Sequence, residues 1–310
     1  MVGDRQKFEG WGFINLHKPK GWTSHDCIAK LRRLLRLKKI GHGGTLDPMA
    51  TGVLPVAVGK ATRLLQYLPK HKTYEAVIRF GIRTNTDDLE GEAIATEPCP
   101  DLTLAQVEAQ LPKFLGKITQ IPPAFSAIKK DGQPLYALAR QGIEVDVPSR
   151  EVEIFDLNVL GWQTGEFPEL QLEVNCSEGT YIRAIARDLG EAVGTQATLA
   201  GLIRSLSGGF ELEQSINLSD IETQLDQNTF ACQMPNDLLR HLPSLSLTES
   251  QVTAWSYGQK INWAELPHPQ AIPLGIYDEA ENFLGVGEFK PSKTETDQMV
   301  LAPRLVLFGK

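Results

Sequence analysis

One acid and one imidazole sit among four glycines in the stretch Gly41-His42-Gly43-Gly44-Thr45-Leu46-Asp47-Pro48-Met49-Ala50-Thr51-Gly52. Glycine lacks a Cβ and tolerates positive φ, so such a loop lets backbone approach a ligand closely. Pro48 fixes its own φ and biases Asp47 toward an extended conformation. One carboxylate is thus presented from a stiff corner, where it could serve as nucleophile or base. A structural loop closed by an Asx-turn would use the same residues. The flanking sequence has to choose between the two.

Other chemistries are poorly served. Six residues, not four, separate Gly52 from Gly59, and Ala61 follows Lys60 where a phosphate loop needs Ser or Thr. Leu46 occupies the third glycine position of a dinucleotide fingerprint. Cys27, Cys99, Cys176 and Cys232 are far apart and form no CxxC pair, so neither disulfides nor a zinc site is expected. No second acid accompanies Asp47 in a motif, as a two-carboxylate glycoside hydrolase would require. No metal and no cofactor is expected. No apolar run approaches the ~18 residues of a membrane span, and Met1–Gly12 lacks the apolar core of a secretion signal. A cytoplasmic protein without membrane contact is the expectation.

The formal net charge is −7, which argues at first against a polyanionic partner. The distribution argues for one. Between His17 and Arg83 there are 14 Lys/Arg and 3 Asp/Glu, a local +11, which leaves −18 for the remainder. An acidic chain with one basic lobe suits a nucleic acid docking on one side, and that lobe contains the Asp47 loop.

The elements around the loop read as alternating strands and capped helices. Phe13–Leu16 is a short strand, and His17-Lys18-Pro19-Lys20-Gly21 a basic turn. Thr23 and Asp26 have capping-box spacing, and the helix they open is expected to run to about Lys39. Ile28, Leu31, Leu34 and Leu35 form its buried stripe, with Arg32, Arg33 and Arg36 outside it. Val53–Val58 is a buried strand. Lys72–Phe80 alternates, placing Tyr74, Ala76, Ile78 and Phe80 on one face. Thr84–Gly91 reads as a polar, acidic loop. Thr103–Leu115 reads as a helix with Val107, Leu111 and Leu115 inward, bent or shortened by Pro112. Asp131-Gly132 marks a turn, and Pro134 suits the start of a helix ending at Gly142. Two strands, Val152–Leu160 and Leu170–Cys176, precede a helix from Thr180 to Val193 closed by Gly194. Arg183 lies near that helix's N-terminus, the wrong end of the dipole for a cation, and therefore calls for an acidic partner. Ser215–Pro243 reads as peripheral. A capped helix at Thr248–Tyr257 and three later strands suggest a small β-rich domain from about residue 245.

Taken together, these motifs resemble one family. The loop Gly41-His42-x-Gly44-x-Leu46-Asp47-Pro48-x-Ala50-Thr51-Gly52 is similar to the signature of the bacterial tRNA pseudouridine-55 synthases, the TruB family. Lys18-Pro19-x-Gly21 and Lys72-x-Tyr74 are similar to further motifs of the family. So are Gln120-Ile121-Pro122-Pro123-x-Phe125-Ser126-Ala127 with Leu135-Tyr136, and Cys176-Ser177-x-Gly179-Thr180-Tyr181-Ile182-Arg183. The likeness runs in order from about residue 13 to 210, and more loosely to the end. Asn85 and Glu90 stand where Asp is expected, Ile203 replaces an arginine, and Thr195–Ala200 lacks a histidine.

The resemblance implies an α+β fold: a mixed, mostly antiparallel sheet with flanking helices over residues 1–244, then a small β-rich PUA-like domain over 245–310 that contacts RNA. It implies isomerisation of uridine 55 in the tRNA T-loop to pseudouridine, without cofactor, by a monomer that needs no protein partner. Asp47 is implied as the essential carboxylate, Arg183 as the cation held against it, and Tyr74 as the ring that stacks on the uracil. His42, Tyr181 and Leu202 are implied as substrate contacts. Lys18, Lys20, Arg32, Arg33, Arg36 and Arg204 are candidates for contacts to the RNA.

Overall fold

The amphipathic patterns assemble around one large mixed sheet. The computed structural model describes residues 7–126, 129–130, 133–134, 147–263, 272–292 and 298–307. In chain order the first elements are β1 (Gly12–Lys18), α1 (Ser24–Leu35), β2 (Ile40–His42), β3 (Thr51–Val58) and β4 (Lys72–Phe80). Next come β5 (Ile82–Thr84), β6 (Ala93–Thr96), α2 (Leu104–Glu108), β7 (Gly116–Gln120), β8 (Lys129–Lys130) and β9 (Gln133–Pro134). Then follow β10 (Arg150–Gln163), β11 (Glu169–Cys176), α3 (Ile182–Ala192), β12 (Ala197–Ser207) and β13 (Phe210–Glu211). The strand order is β1-β3-β12-β4-β11-β10-β7, with β2 added on β3 and β13 on β12. All its pairings are antiparallel except β12 against β3.

That parallel contact fixes the end of the Asp47 loop. Arg204 of β12 faces Gly52 of β3. Gly52 has φ +100, and a Cβ there would collide with the Arg204 carbonyl oxygen. Only glycine lets the two backbones close at this point.

One face of the sheet is covered by α3. Ile182, Ile185, Ala186 and Leu189 pack with Tyr74, Ala76, Ile78 and Phe80 of β4. The helix ends as the sequence suggests: Gly194 (φ +80) donates to Glu191 O and Thr195 N to Gly190 O, a Schellman closure. Helix α1 packs against β1 and β3 through Cys27, Ile28, Leu31 and Leu35, behind the expected capping box of Thr23 and Asp26.

The structure shortens or reshapes several expected elements. Helix α1 stops at Leu35, not Lys39, because Arg36 turns left-handed (φ 52) and the chain enters β2, where buried Ile40 pairs with Val58. Thr103–Leu115 splits into α2 and a 3-10 turn, Leu111–Phe114, around Pro112. Phe114 takes the inward position, and Leu115 is 45% exposed. The Asp131-Gly132 turn and the helix to Gly142 lie outside the described residues; Pro134 itself pairs with Lys129 in a short ladder. Ser215–Pro243 is more than peripheral. It bridges β1 at Ile216 and Gln233, shielding an otherwise open sheet edge, and it carries α4 (Leu218–Asp226) and α5 (Pro235–Leu238).

The C-terminal part forms a second sheet. Its strands β14 (Ser244–Leu247), β15 (Ile261–Trp263), β16 (Leu274–Asp278), β17 (Phe283–Pro291) and β18 (Met299–Val306) lie in the order β14-β16-β17-β18-β15, with α6 (Glu249–Ser256) packed on them. Phe283, Val286, Leu305 and Leu307 share a core with Phe13, Val53 and Ala57 of the large sheet. The two sheets are joined by apolar burial.

Candidate active site

The Asp47 loop is anchored from three sides. The Ser24 hydroxyl donates to Leu46 O (3.2 Å) and accepts from Leu46 N (2.9 Å). Gly21 N donates to Pro48 O (2.8 Å). Lys18 is fully buried, and its ammonium donates to Pro19 O (2.9 Å), Trp22 O (2.6 Å) and Pro48 O (3.2 Å). An ammonium has three protons, and Lys18 gives each to a carbonyl. Arg204, also fully buried, donates to Val53 O (2.8 Å), Gly44 O (3.1 Å) and Thr45 O (3.4 Å). Lys18 and Arg204, expected among the contacts to RNA, here turn their donors inward and hold the loop that holds Asp47.

The carboxylate itself faces a guanidinium. Arg183 Nε lies 3.0 Å from Asp47 Oδ2, while Arg183 is 6% exposed and the Asp47 side chain 35%. Arg183 Nη1 bonds Thr86 O (2.9 Å) and lies 3.5 Å from Asp88 Oδ2; Nη2 bonds Phe125 O (3.1 Å). The expected acidic partner of Arg183 is therefore present twice. Burial pushes the Asp47 carboxyl up from its ordinary value; Arg183 pulls it back, and Asp88 adds to the rise. Arg183 keeps the acid ionisable in a site that would otherwise favour its neutral form.

A second arginine repeats the arrangement one helical turn on. Arg187 bonds Asp87 Oδ2 (2.8 Å), Asp188 Oδ1 (2.8 Å) and Ile121 O (2.9 Å). Asp87 and Asp88 are 7% and 4% exposed, so Thr84–Gly91 is not the solvated loop its composition suggests. Sequence reasoning missed Asp87, Asp88 and Arg187. The available signal was the four-residue spacing of Arg183 and Arg187, which puts both on one helix face.

The walls come from the strands. Tyr74 is buried on β4, directly opposite Arg204 of β12. Burial raises its pKa, with Arg204 pulling the other way, so the phenol stays protonated at neutral pH. Leu202 is buried two pairs along, opposite Ala76. Tyr181 caps α3 with its backbone gripped by Gln120, which accepts from Tyr181 N (3.1 Å) and donates to Tyr181 O (3.3 Å). The Arg150 guanidinium lies 5.5 Å from the Tyr181 ring centroid. Gln120, 1% exposed, stands in a motif quoted from the sequence, but its hold on Tyr181 was not legible there. His42 closes β2 half-buried; burial and Arg204 hold its imidazole below the usual range, hence neutral. Lys20, Arg33 and Arg36 are exposed, as is most of Arg32, whose Nη2 donates to Ile40 O (2.9 Å). Among the described residues no group of three or more His, Cys, Asp or Glu is arranged to hold a metal ion, and no helix is long and apolar enough to cross a membrane.

A carboxylate paired to a buried arginine within a basic lobe could act on the sugar of a nucleotide. The model of the TruB family pseudouridylate synthase N-terminal domain matches residues 32–182, and that of the pseudouridine synthase II TruB C-terminal region matches residues 243–306. A protein of Trichormus variabilis named tRNA pseudouridine synthase B is 52% identical over 95% of this chain and 98% of its own. One of Synechocystis sp. with the same name is 55% identical over 96% and 99%. Among solved structures, an H/ACA RNP bound to a substrate RNA containing 2′-deoxyuridine matches with TM-score 0.71 at 23% identity, covering 99% of this chain and 93% of the other. A Cbf5-Nop10-Gar1 complex matches with TM-score 0.70 at 24% identity, covering 98% and 92%. These two share the fold. Half the residues in common along nearly the entire length is a closer kinship, and by it the chain belongs to the TruB family of enzymes, pseudouridine synthases that modify tRNA.

Proposed function

We propose that the chain converts uridine 55 in the T-loop of tRNA to pseudouridine on a nucleotide swung out of the loop, with Asp47 as the essential acid. The observation that carries the reading is the Asp47–Arg183 pair, a partly exposed carboxylate 3.0 Å from a buried guanidinium. Extrusion of the nucleotide costs a few kcal/mol, which stacking and pocket contacts must offset. The N1–C1′ bond breaks with the electron pair leaving on uracil, the base rotates, and C5 bonds to C1′. The proton lost from C5 is replaced by one gained at N1, so the change is an isomerisation. Asp47 either attacks C1′ or assists the departing base; both routes need it charged and beside the ribose. Tyr74, protonated, supplies a ring face and a hydroxyl in place of a free phenolate. His42, Tyr181 and Leu202 shape the pocket.

Residues 1–244 carry this chemistry, and 245–310 add contact to the tRNA T-arm side. The enzyme works as a cytoplasmic monomer. The fold neighbours, one in an H/ACA RNP and one in a Cbf5-Nop10-Gar1 complex, raise a guide-dependent subunit as the rival reading. One experiment separates the two: pure protein is incubated with a bare tRNA transcript and pseudouridine is mapped. Modification at position 55 without other components supports a stand-alone enzyme. Asp47→Asn should then lose about 10⁴-fold or more in turnover while still binding tRNA. A variant that keeps a tenth of the activity would remove Asp47 from the chemistry.

A further inference from the structure

Lys72 opens β4 two residues before Tyr74 and on the same face. It is half-buried. A Cβ placed on Gly44 would stand 3.6 Å from Lys72 Nζ and 3.5 Å from Arg204 Nη1, so two cations converge on a bare stretch of the Asp47 loop. Gly44 has φ +112 and offers backbone alone to this corner.

The other cations around the loop are committed. Lys18 and Arg204 bond carbonyls, and Arg183 bonds carbonyls and carboxylates. The Lys72 backbone pairs with Cys176 and Ser207, but its ammonium makes no hydrogen bond or ion pair among the described residues; its surroundings act on it through burial, Arg204, Cys176, Glu178 and Lys70. Glu178 is itself paired with Lys70 at 3.2 Å. A partly desolvated ammonium without an acceptor is costly, and Arg204 beside it makes the corner still more positive. Burial first, then Arg204, depress the Lys72 pKa. An arriving anion would relieve both effects.

We propose that Lys72 binds the phosphodiester adjoining the nucleotide that the site isomerises, with the Gly44 backbone beneath it. This rests on the reading that a swung-out nucleotide lies over Asp47 and against Tyr74. Two strand residues span about 7 Å, close to the reach from a base to its own phosphate. Tyr74 meets the base and Lys72 the backbone of one nucleotide. The contact is blind to base identity, and it positions the sugar over Asp47.

The test uses the full-length protein and T-arm stem-loop RNAs carrying a neutral methylphosphonate at one linkage, either 5′ or 3′ of the target uridine. With wild-type protein, one of the two RNAs should bind about tenfold more weakly than the unmodified RNA, the scale of one charge-assisted hydrogen bond. Lys72→Met should weaken binding of unmodified RNA by the same factor and show no further loss at the neutral linkage. Its log-affinity against log-salt slope should shrink by about 0.7–0.9, one phosphate's share. Lys72→Arg should restore most of the affinity. Equal losses for wild type and Lys72→Met at both linkages, or wild-type affinity in Lys72→Met, would overturn the assignment. So would a wild-type protein indifferent to both neutral linkages, which needs no mutant to fold. If the coupling fails while pseudouridine 55 still forms in wild-type reactions, Lys72 alone is dismissed. If pseudouridine 55 never forms, the underlying reading goes with it.

Discussion

The cations of the Asp47 site and those of helix α1 are the same residue types put to opposite uses. Lys18, Arg183 and Arg204 are nearly or wholly withdrawn from solvent, and their donors end on carbonyls or carboxylates of this chain. Arg33 and Arg36, on the outer side of α1, are exposed, as is Lys20 in the turn before it. An inner cation stabilises a backbone path. An outer one contributes field and lies where a phosphate can reach it. A local charge of +11 therefore overstates what RNA can touch, because part of it is masonry.

The sharpest way to break this contrast is at Arg183. Its guanidinium spans two carboxylates and two carbonyls, and a lysine cannot reproduce that fork. Arg183→Lys should lower turnover on the order of 10²–10³-fold, with tRNA affinity within about threefold of wild type. The acid limb of its pH–rate profile should move up, because the cation that draws the Asp47 pKa down is displaced. A large loss of affinity with intact turnover would make Arg183 an RNA clamp and dissolve the distinction.

Lys18 sets the next test. Lys18→Met removes a donor from three carbonyls, of which Pro48 O keeps Gly21 N, and an unmet buried polar group costs about 1–3 kcal/mol. The melting temperature should fall by several degrees, while the salt slope of tRNA binding stays as in wild type. The outer pair inverts the outcome. Lys20→Gln with Arg33→Gln should leave melting within a degree or so, surface changes being small, and should reduce the salt slope by about 0.7–0.9 for each residue that meets a phosphate. Identical signatures for the two variants would refute the sorting by burial.

Much of the frame was legible because its signals are local. The β4 alternation, the capping box at Thr23 and the glycine closing α3 each depend on neighbours within a few residues. Asp47 was legible because glycines and Pro48 crowd around it. The destination of a cation's protons is not local. Lys18 is buried by carbonyls from Trp22 and Pro48, the latter 30 residues away. Asp87 looks like a turn residue until Arg187, 100 positions on, folds against it. Lys18 and Arg204 were expected to contact RNA from their charge and the family resemblance, and neither reports burial. The end of α1 was misplaced for the same reason: Ile40 leaves the helix to pair with Val58 across the sheet.

Two acids carry the contrast to its smallest effect. In the C-terminal sheet Glu288 is 3% exposed; burial pushes its pKa up, but bonds from Arg304 and Lys290 more than reverse this, and the net value lies below the ordinary one. Its carboxylate therefore supports the fold above the unfolded pKa of about 4.3, and that support is lost as pH falls through the lowered folded value. Asp47 runs the other way. Its folded pKa is raised, so the folded state holds the proton more tightly than the unfolded chain does. Stability then declines as pH rises from about 3.9 through the raised folded value, and at neutral pH the ionised acid is a net burden. Asp47→Asn should accordingly melt slightly higher than wild type at pH 7, with the gain fading below about pH 4. Glu288→Gln should melt lower at pH 7, with the deficit fading on acidification. Melting curves of both variants across pH 3–8 decide it. Parallel trends would mean that Arg183 outweighs burial at Asp47, and that the acid of the site is held as comfortably as the acid of the scaffold.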